Sequence, residues 1–97
     1  MNLIEKIGLP ATLELLAEEC AELAQAALKM SRIVRGENPT PVKEGIAVVH
    51  LAEEIADVEI VAEHVKGWRG VSADTESWKE IKRNRLTERL SKLPRQD

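Results

Sequence analysis

Nearly the same eight residues occur twice, 35 positions apart: L-A-E-E-C-A-E-L at 16–23 and L-A-E-E-I-A-D-V at 51–58. Each copy lies in a longer run whose apolar residues recur every three or four positions, the spacing that gathers them on one side of an α-helix. In the first run the stripe is Leu13, Leu16, Cys20, Leu23, Ala27, Met30 and Val34. In the second it is Val48, Leu51, Ile55, Val58, Ala62 and Val65, with Ile46, Val49, Ala56 and Ile60 forming another apolar stripe on a different side. The pattern predicts two long helices, each burying one face, and leaves the second helix with more apolar surface than one neighbour can cover.

Punctuation between the runs sets the boundaries. Residues 2–7 read as a short lead-in helix ending at Gly8, and Pro10 and Thr12 mark the start of the first long helix, which runs to about Arg35 and stops at Gly36. The segment G-E-N-P-T-P at 36–41 disfavours helix, and Thr40 followed by Pro41 reads as an N-cap with proline at the first helical position. Gly45 costs roughly 1 kcal/mol relative to Ala inside a helix, which favours a later start. Gly67 and Gly70 end the second long helix. A third follows, capped within Ser72 to Thr75, amphipathic through Trp78, Ile81, Leu86, Leu90 and Leu93, and stopped by Pro94.

Composition agrees with this reading. Hydrophobic residues make up 43% of the 97, supplied by Ala, Leu, Val and Ile with two Trp and no Phe or Tyr, which suits closely packed helices better than a β-sandwich. The expected fold is all-α: two long helices plus a third in a single domain over residues 1–97, completed by oligomerisation because so short a chain buries little of its surface. A net charge of -3 is too small to imply nucleic-acid binding, although basic residues gather late, at Lys79, Lys82, Arg83, Arg85, Arg89, Lys92 and Arg95. The single cysteine, Cys20, excludes an intramolecular disulfide and reads as a small core residue. The most apolar window, 46–65, is broken by His50, Glu53, Glu54, Asp57, Glu59, Glu63 and His64, so no membrane span is expected. With no signal peptide or lipidation motif in view, the expectation is a cytoplasmic protein.

Four acids stand beside the core stripes. Residues three apart on a helix share a side, so Glu19 pairs with Glu22 and Glu54 with Asp57, and packing the helices by their stripes brings the four carboxylates together. Like charges in partly desolvated surroundings either take up protons or recruit a cation. Hard divalent ions suit an all-oxygen set: Mg²⁺ binds through a few carboxylates, waters and substrate phosphates, with Mn²⁺ as a possible substitute. His50 and His64 fall on the same side as Glu54 and Asp57, which leaves a mixed site open. The competing reading is a solvated acidic rim, since Glu is a good helix former and about a third of the chain is charged.

The motifs E-E-x-x-E at Glu18, Glu19 and Glu22 and E-x-x-D at Glu54 and Asp57 resemble the signature of the MazG-like all-α nucleoside triphosphate pyrophosphohydrolases, over most of the chain. The resemblance implies a helical enzyme, assembled from two or more chains, that uses Mg²⁺ to cleave nucleotides between the α and β phosphates, giving a monophosphate and pyrophosphate. Carried onto this chain it makes Glu19, Glu22, Glu54 and Asp57 the metal ligands, with Glu18 acting behind them or on water. Lys29 matches a basic residue that the family tends to carry after the first motif, and K-E-I-K-R-N-R at 79–85 resembles, loosely, a phosphate-contacting third helix, with Lys82, Arg83, Asn84 and Arg85 as candidates. No Ser-His-Asp or Cys-His arrangement competes with metal-assisted attack by water.

Rival readings are a phosphoribosyl-ATP pyrophosphohydrolase, an all-α deoxyuridine triphosphatase, and, from a different class, a non-catalytic helical interaction module. The implied partners are a nucleotide substrate and further copies of the chain, as a homodimer or dimer of dimers. Trp68 and Trp78 are the only aromatics; packing between helices is their expected role, with base stacking the alternative.

Overall fold

The computed structural model describes residues 2–37 and 42–96. The architecture is all-α. Four helices follow one another, α1 (Leu3–Ile7), α2 (Leu9–Val34), α3 (Glu44–Lys66) and α4 (Val71–Ser91), and there is no strand among the described residues. The chain divides into two compact units, Met1–Val65 and Lys66–Asp97. None of the described helices is long and apolar enough to cross a membrane.

In the first unit, α1 is tied at both ends. Asn2 caps it, its side-chain oxygen accepting from the Ile4 N–H at 2.7 Å. The Asn2 side chain also donates to the His64 carbonyl at 3.2 Å, and the Leu3 N–H donates to His64 Nδ1 at 3.1 Å, which pins α1 to the end of α3. Gly8 then closes α1 and opens α2 with φ of 87° and ψ of 160°, a backbone conformation that side-chain-bearing residues rarely adopt. Thr12, expected at the helix start, lies within α2; it is fully buried, and its hydroxyl donates to the Gly8 carbonyl at 2.8 Å. That bond makes a polar residue tolerable in the interior.

The buried stripes differ from the expected ones by about one residue. On α2 the buried positions are Thr12 and Ala26, with Leu15, Leu16, Glu19, Leu23, Met30 and Ile33 partly buried; on α3 they are Ala47, Glu54 and Val61, with Leu51, Val58, Ala62 and Val65 partly buried. Leu13, Val34, Val48 and Ile55, expected in the core, are exposed, and so is Cys20. Ala26, Ala47 and Val61 are the most buried of the apolar side chains. This rotation moves Glu19 and Glu54 from beside the stripes into them. The second apolar stripe of α3 does lie outside the packed face, with Ile46, Val49 and Ile60 all exposed.

The expected start of α3 at Thr40 and Pro41 falls outside the described residues. The helix begins at Glu44, with the Lys43 carbonyl accepting from the Ile46 and Ala47 N–H groups at 3.1 Å, so Gly45 sits in the first turn, where its cost is least.

In the second unit, Arg69 and Gly70 both take positive φ, 43° and 71°, before α4 begins at Val71. The Thr75 hydroxyl donates to the Val71 carbonyl at 2.6 Å inside the first turn rather than capping it. No residue of α4 is buried. Trp78, expected to pack, is 54% exposed, while Trp68 is partly buried with the Arg69 guanidinium 5.2 Å from its ring centroid.

Candidate metal centre

The centre is built from two helical turns. Glu19 and Glu22 share one side of α2 because they are three residues apart, and Glu54 comes from the middle of α3, in line with buried Ala47 and Val61. One carboxylate oxygen from each of the three lies within 4.8 Å of the others. Glu22 is exposed, Glu19 is partly buried, and Glu54 retains 7% exposure. Two oxygens, Oε2 of Glu19 and Oε2 of Glu54, are buried without a hydrogen-bond partner.

Such an arrangement is unfavourable for three anions. Burial first, then the charges of Glu22, Asp57 and Glu54, hold the Glu19 carboxyl above its ordinary value. Burial likewise raises Glu54, followed by the charges of Glu22 and Asp57, with His50 acting in the opposite direction. Asp57 is therefore close enough to be felt by both glutamates, although it is not one of the three whose oxygens converge.

The donor set fits a hard cation. Three oxygens on one octahedral Mg²⁺ at roughly 2.0–2.1 Å stand about 2.9 Å apart as neighbours and about 4.2 Å apart as an opposite pair, so carboxylates within 4.8 Å of one another would have to close inward around the ion. The orphaned oxygens of Glu19 and Glu54 are the atoms such an ion would satisfy. Beside them is a pocket of about 460 Å³ lined by Glu22, Gln25, Ala26, Lys29, His50 and Glu54. Lys29 thus lines the same pocket as two of the carboxylates. Glu18 is exposed on α2 and is not one of the three.

The histidines separate. His50 Nε2 lies 3.3 Å from Glu54 Oε1, one turn along α3. His64 instead uses its Nδ1 to accept from the Leu3 N–H, a structural tie at the far end of the helix, so of the two histidines only His50 stands beside the carboxylates. Gln25 carried no chemical signal in the sequence; only the helical spacing from Glu22 could have placed it near the site.

The basic candidates of the third predicted helix lie on α4, in the second unit. Lys82 and Arg83 line a groove of about 680 Å³ with Val71, Asp74, Thr75, Trp78, Lys79 and Leu86. Arg83 and Asn84 also border a smaller hollow with Glu76, Ser77 and Glu80, and Arg85 is exposed. No family model matches the chain, and neither a curated protein nor a solved structure matches it.

Proposed function

We propose that the chain is a Mg²⁺-dependent nucleoside triphosphate pyrophosphohydrolase, cleaving between the α and β phosphates to give a nucleoside monophosphate and pyrophosphate. The observation that carries the reading is Glu54: a carboxylate with 7% exposure, one oxygen unpartnered, facing two further glutamates. A fold maintains so unfavourable a cluster when something outside the chain compensates it, and the motif resemblance at Glu18, Glu19, Glu22, Glu54 and Asp57 indicates what that is.

Bound Mg²⁺ would neutralise phosphate oxygens and lower the pKa of a coordinated water. Glu19, Glu22 and Glu54 would hold the ion, with Asp57 adding charge close by. Lys29, on the wall of the adjacent pocket, would pair with an anionic phosphate chain and offset charge as pyrophosphate departs. Lys82, Arg83, Asn84 and Arg85 are further phosphate candidates by resemblance alone. The exposed stripe of Ile46, Val49 and Ile60 supports assembly into a homodimer or a dimer of dimers.

The test is a panel of ribo- and deoxyribonucleoside triphosphates incubated with Mg²⁺ and assayed separately for pyrophosphate and orthophosphate. Metal-dependent pyrophosphate release is expected from at least one member. Orthophosphate alone, or no release from any member, removes the reading.

A second reading, a non-catalytic helical interaction module, draws on a different observation: Trp78, Leu86 and Leu90 of α4 are all more than half exposed. A calorimetric titration separates the two, because the module requires no uptake of Mg²⁺ or Mn²⁺ at millimolar metal with nucleotide present.

A further inference from the structure

The two oxygens of Glu54 have different surroundings. Oε2 is buried and has no partner, while Oε1 lies 3.3 Å from His50 Nε2. The asymmetry follows from helix geometry, since positions 50 and 54 are four apart and stand one above the other on α3. A glutamate side chain turns about three bonds, and burial by aliphatic neighbours does not choose between its oxygens. An imidazole nitrogen on one side does.

From this contact we infer that His50 is a positioning residue: it restrains Glu54 at Oε1 and leaves the buried, unpartnered Oε2 to take a cation shared with Glu19 and Glu22. This rests on the metal-dependent reading proposed above, and it assigns His50 a role outside the set of ligands. The burial pattern fits. The Glu54 side chain is 9% exposed and His50 is 51% exposed, so the imidazole sits at the rim, covering one oxygen of a carboxylate whose other oxygen points inward. Carboxylates that bind metals are commonly held by a second hydrogen-bonding group, and losing that group typically weakens metal binding about 10–100-fold. His50 also lines the pocket shared by Glu22, Gln25, Lys29 and Glu54, so it is available to Glu54 without crossing the packed face.

The experiment uses Mn²⁺ alone as probe and the full chain in three forms: wild type, His50→Ala and His50→Gln. Free Mn²⁺ is followed by its paramagnetic resonance signal to give Kd, and helicity is checked by circular dichroism. Gln is chosen because its amide N–H can reach one turn along the helix towards Oε1, whereas Ala offers no donor. Wild type is expected to bind Mn²⁺, His50→Ala to bind about tenfold more weakly or worse, and His50→Gln to recover most of the loss. Pulsed resonance of the bound ion is expected to show no nitrogen modulation from a coordinated imidazole.

Equal affinity in wild type and His50→Ala overturns the assignment. So does a His50→Gln variant as weak as His50→Ala, since the donor would then not matter. Imidazole modulation in the wild-type spectrum also overturns it, by making His50 a direct ligand. Failure of the underlying reading looks different: wild type itself takes up no Mn²⁺, and both inferences fall together.

Discussion

The two units of this chain treat charge in opposite ways. Residues 1–65 carry twelve acidic and five basic side chains, a net charge of -7, and residues 66–97 carry five and nine, a net charge of +4. The sign of the charge matters less than where it sits. On α4 the charges are solvated, and their pairs, Lys79 with Glu76 at 3.3 Å and Lys92 with Glu88 at 3.6 Å, join neighbouring turns across well-exposed side chains. In the first unit, Glu19 and Glu54 enter the packed stripe, and each keeps a buried oxygen without a partner. Exposed pairs are nearly neutral for folding. Buried unpaired carboxylates oppose it, so they are the ones that indicate an external ligand.

If that contrast reflects function, the largest effects of mutation belong to the first unit. Glu19→Gln, Glu54→Gln and Asp57→Asn each remove one charge at little change in volume. Each is expected to reduce pyrophosphate release by on the order of 10²–10³-fold, the scale on which removing one preorganised electrostatic group acts, while circular dichroism remains that of the wild type. Unchanged turnover in the Glu19 and Glu54 variants would break the comparison, reducing the cluster to an acidic rim.

The next effect concerns the exposed stripe of α3. Ile60→Glu is expected to convert an assembled wild type into monomer, because the substitution would bury an unpaired charge at the seam between copies. Activity should fall with it, although Ile60 belongs to no ligand set. Light scattering at tens of micromolar decides: a monomeric wild type, or a variant that remains assembled and active, assigns this face another role.

Much of the helical layout was legible in the sequence, and for a specific reason. Helix number and approximate ends follow from three-four spacing and from Gly8, Gly36, Gly67 and Gly70, which are local signals. The rotation of the packed face was not legible. Hydrophobicity favoured Leu13, Cys20, Val48 and Ile55, whereas the most buried positions are Thr12, Ala26, Ala47, Glu54 and Val61, which a hydropathy pattern does not rank above their larger apolar neighbours. The acids of the cluster were legible from spacing and motif, but the burial of Glu54 depends on that rotation. Helical spacing puts His50 and His64 alike on the side of Glu54, and only the 3.3 Å contact gives His50 a part distinct from His64.

A smaller effect concerns pH. Burial and like charges raise the carboxyls of Glu19 and Glu54 above the ordinary value of 4.5. A carboxyl whose pKa is higher folded than unfolded binds more protons in the folded chain, so its contribution to stability is present at acidic pH and is lost as pH climbs above 4.5 through the raised values. Thermal unfolding of the metal-free protein should therefore show the melting temperature decreasing over that rise, and Glu19→Gln should flatten the decrease. Adding Mg²⁺ at neutral pH should raise the melting temperature again if the cation binds the folded cluster. A metal-free profile that rises with pH through this range would contradict the repulsion on which the contrast depends.

The smallest effect is expected where the second unit makes its ion pairs. Lys92 and Glu88 are both 73% exposed, at 3.6 Å, at the C-terminal end of α4, where Lys92 is the C-cap residue. Water already solvates both groups, and the pair must also hold two long side chains in one arrangement, which offsets most of the Coulomb attraction. Lys92 does have one further source of stability, since a cation at a helix C-terminus meets the negative end of the dipole. Lys92→Ala is accordingly expected to destabilise the protein by no more than about 0.5 kcal/mol, with part of that loss disappearing at high salt. Urea unfolding of the wild type and the variant, at low and at molar salt, provides the measurement. A salt-insensitive loss well above that figure would mean that α4 uses these side chains for packing rather than leaving them to solvent, and the two units would then differ less in how they handle charge than their exposures indicate.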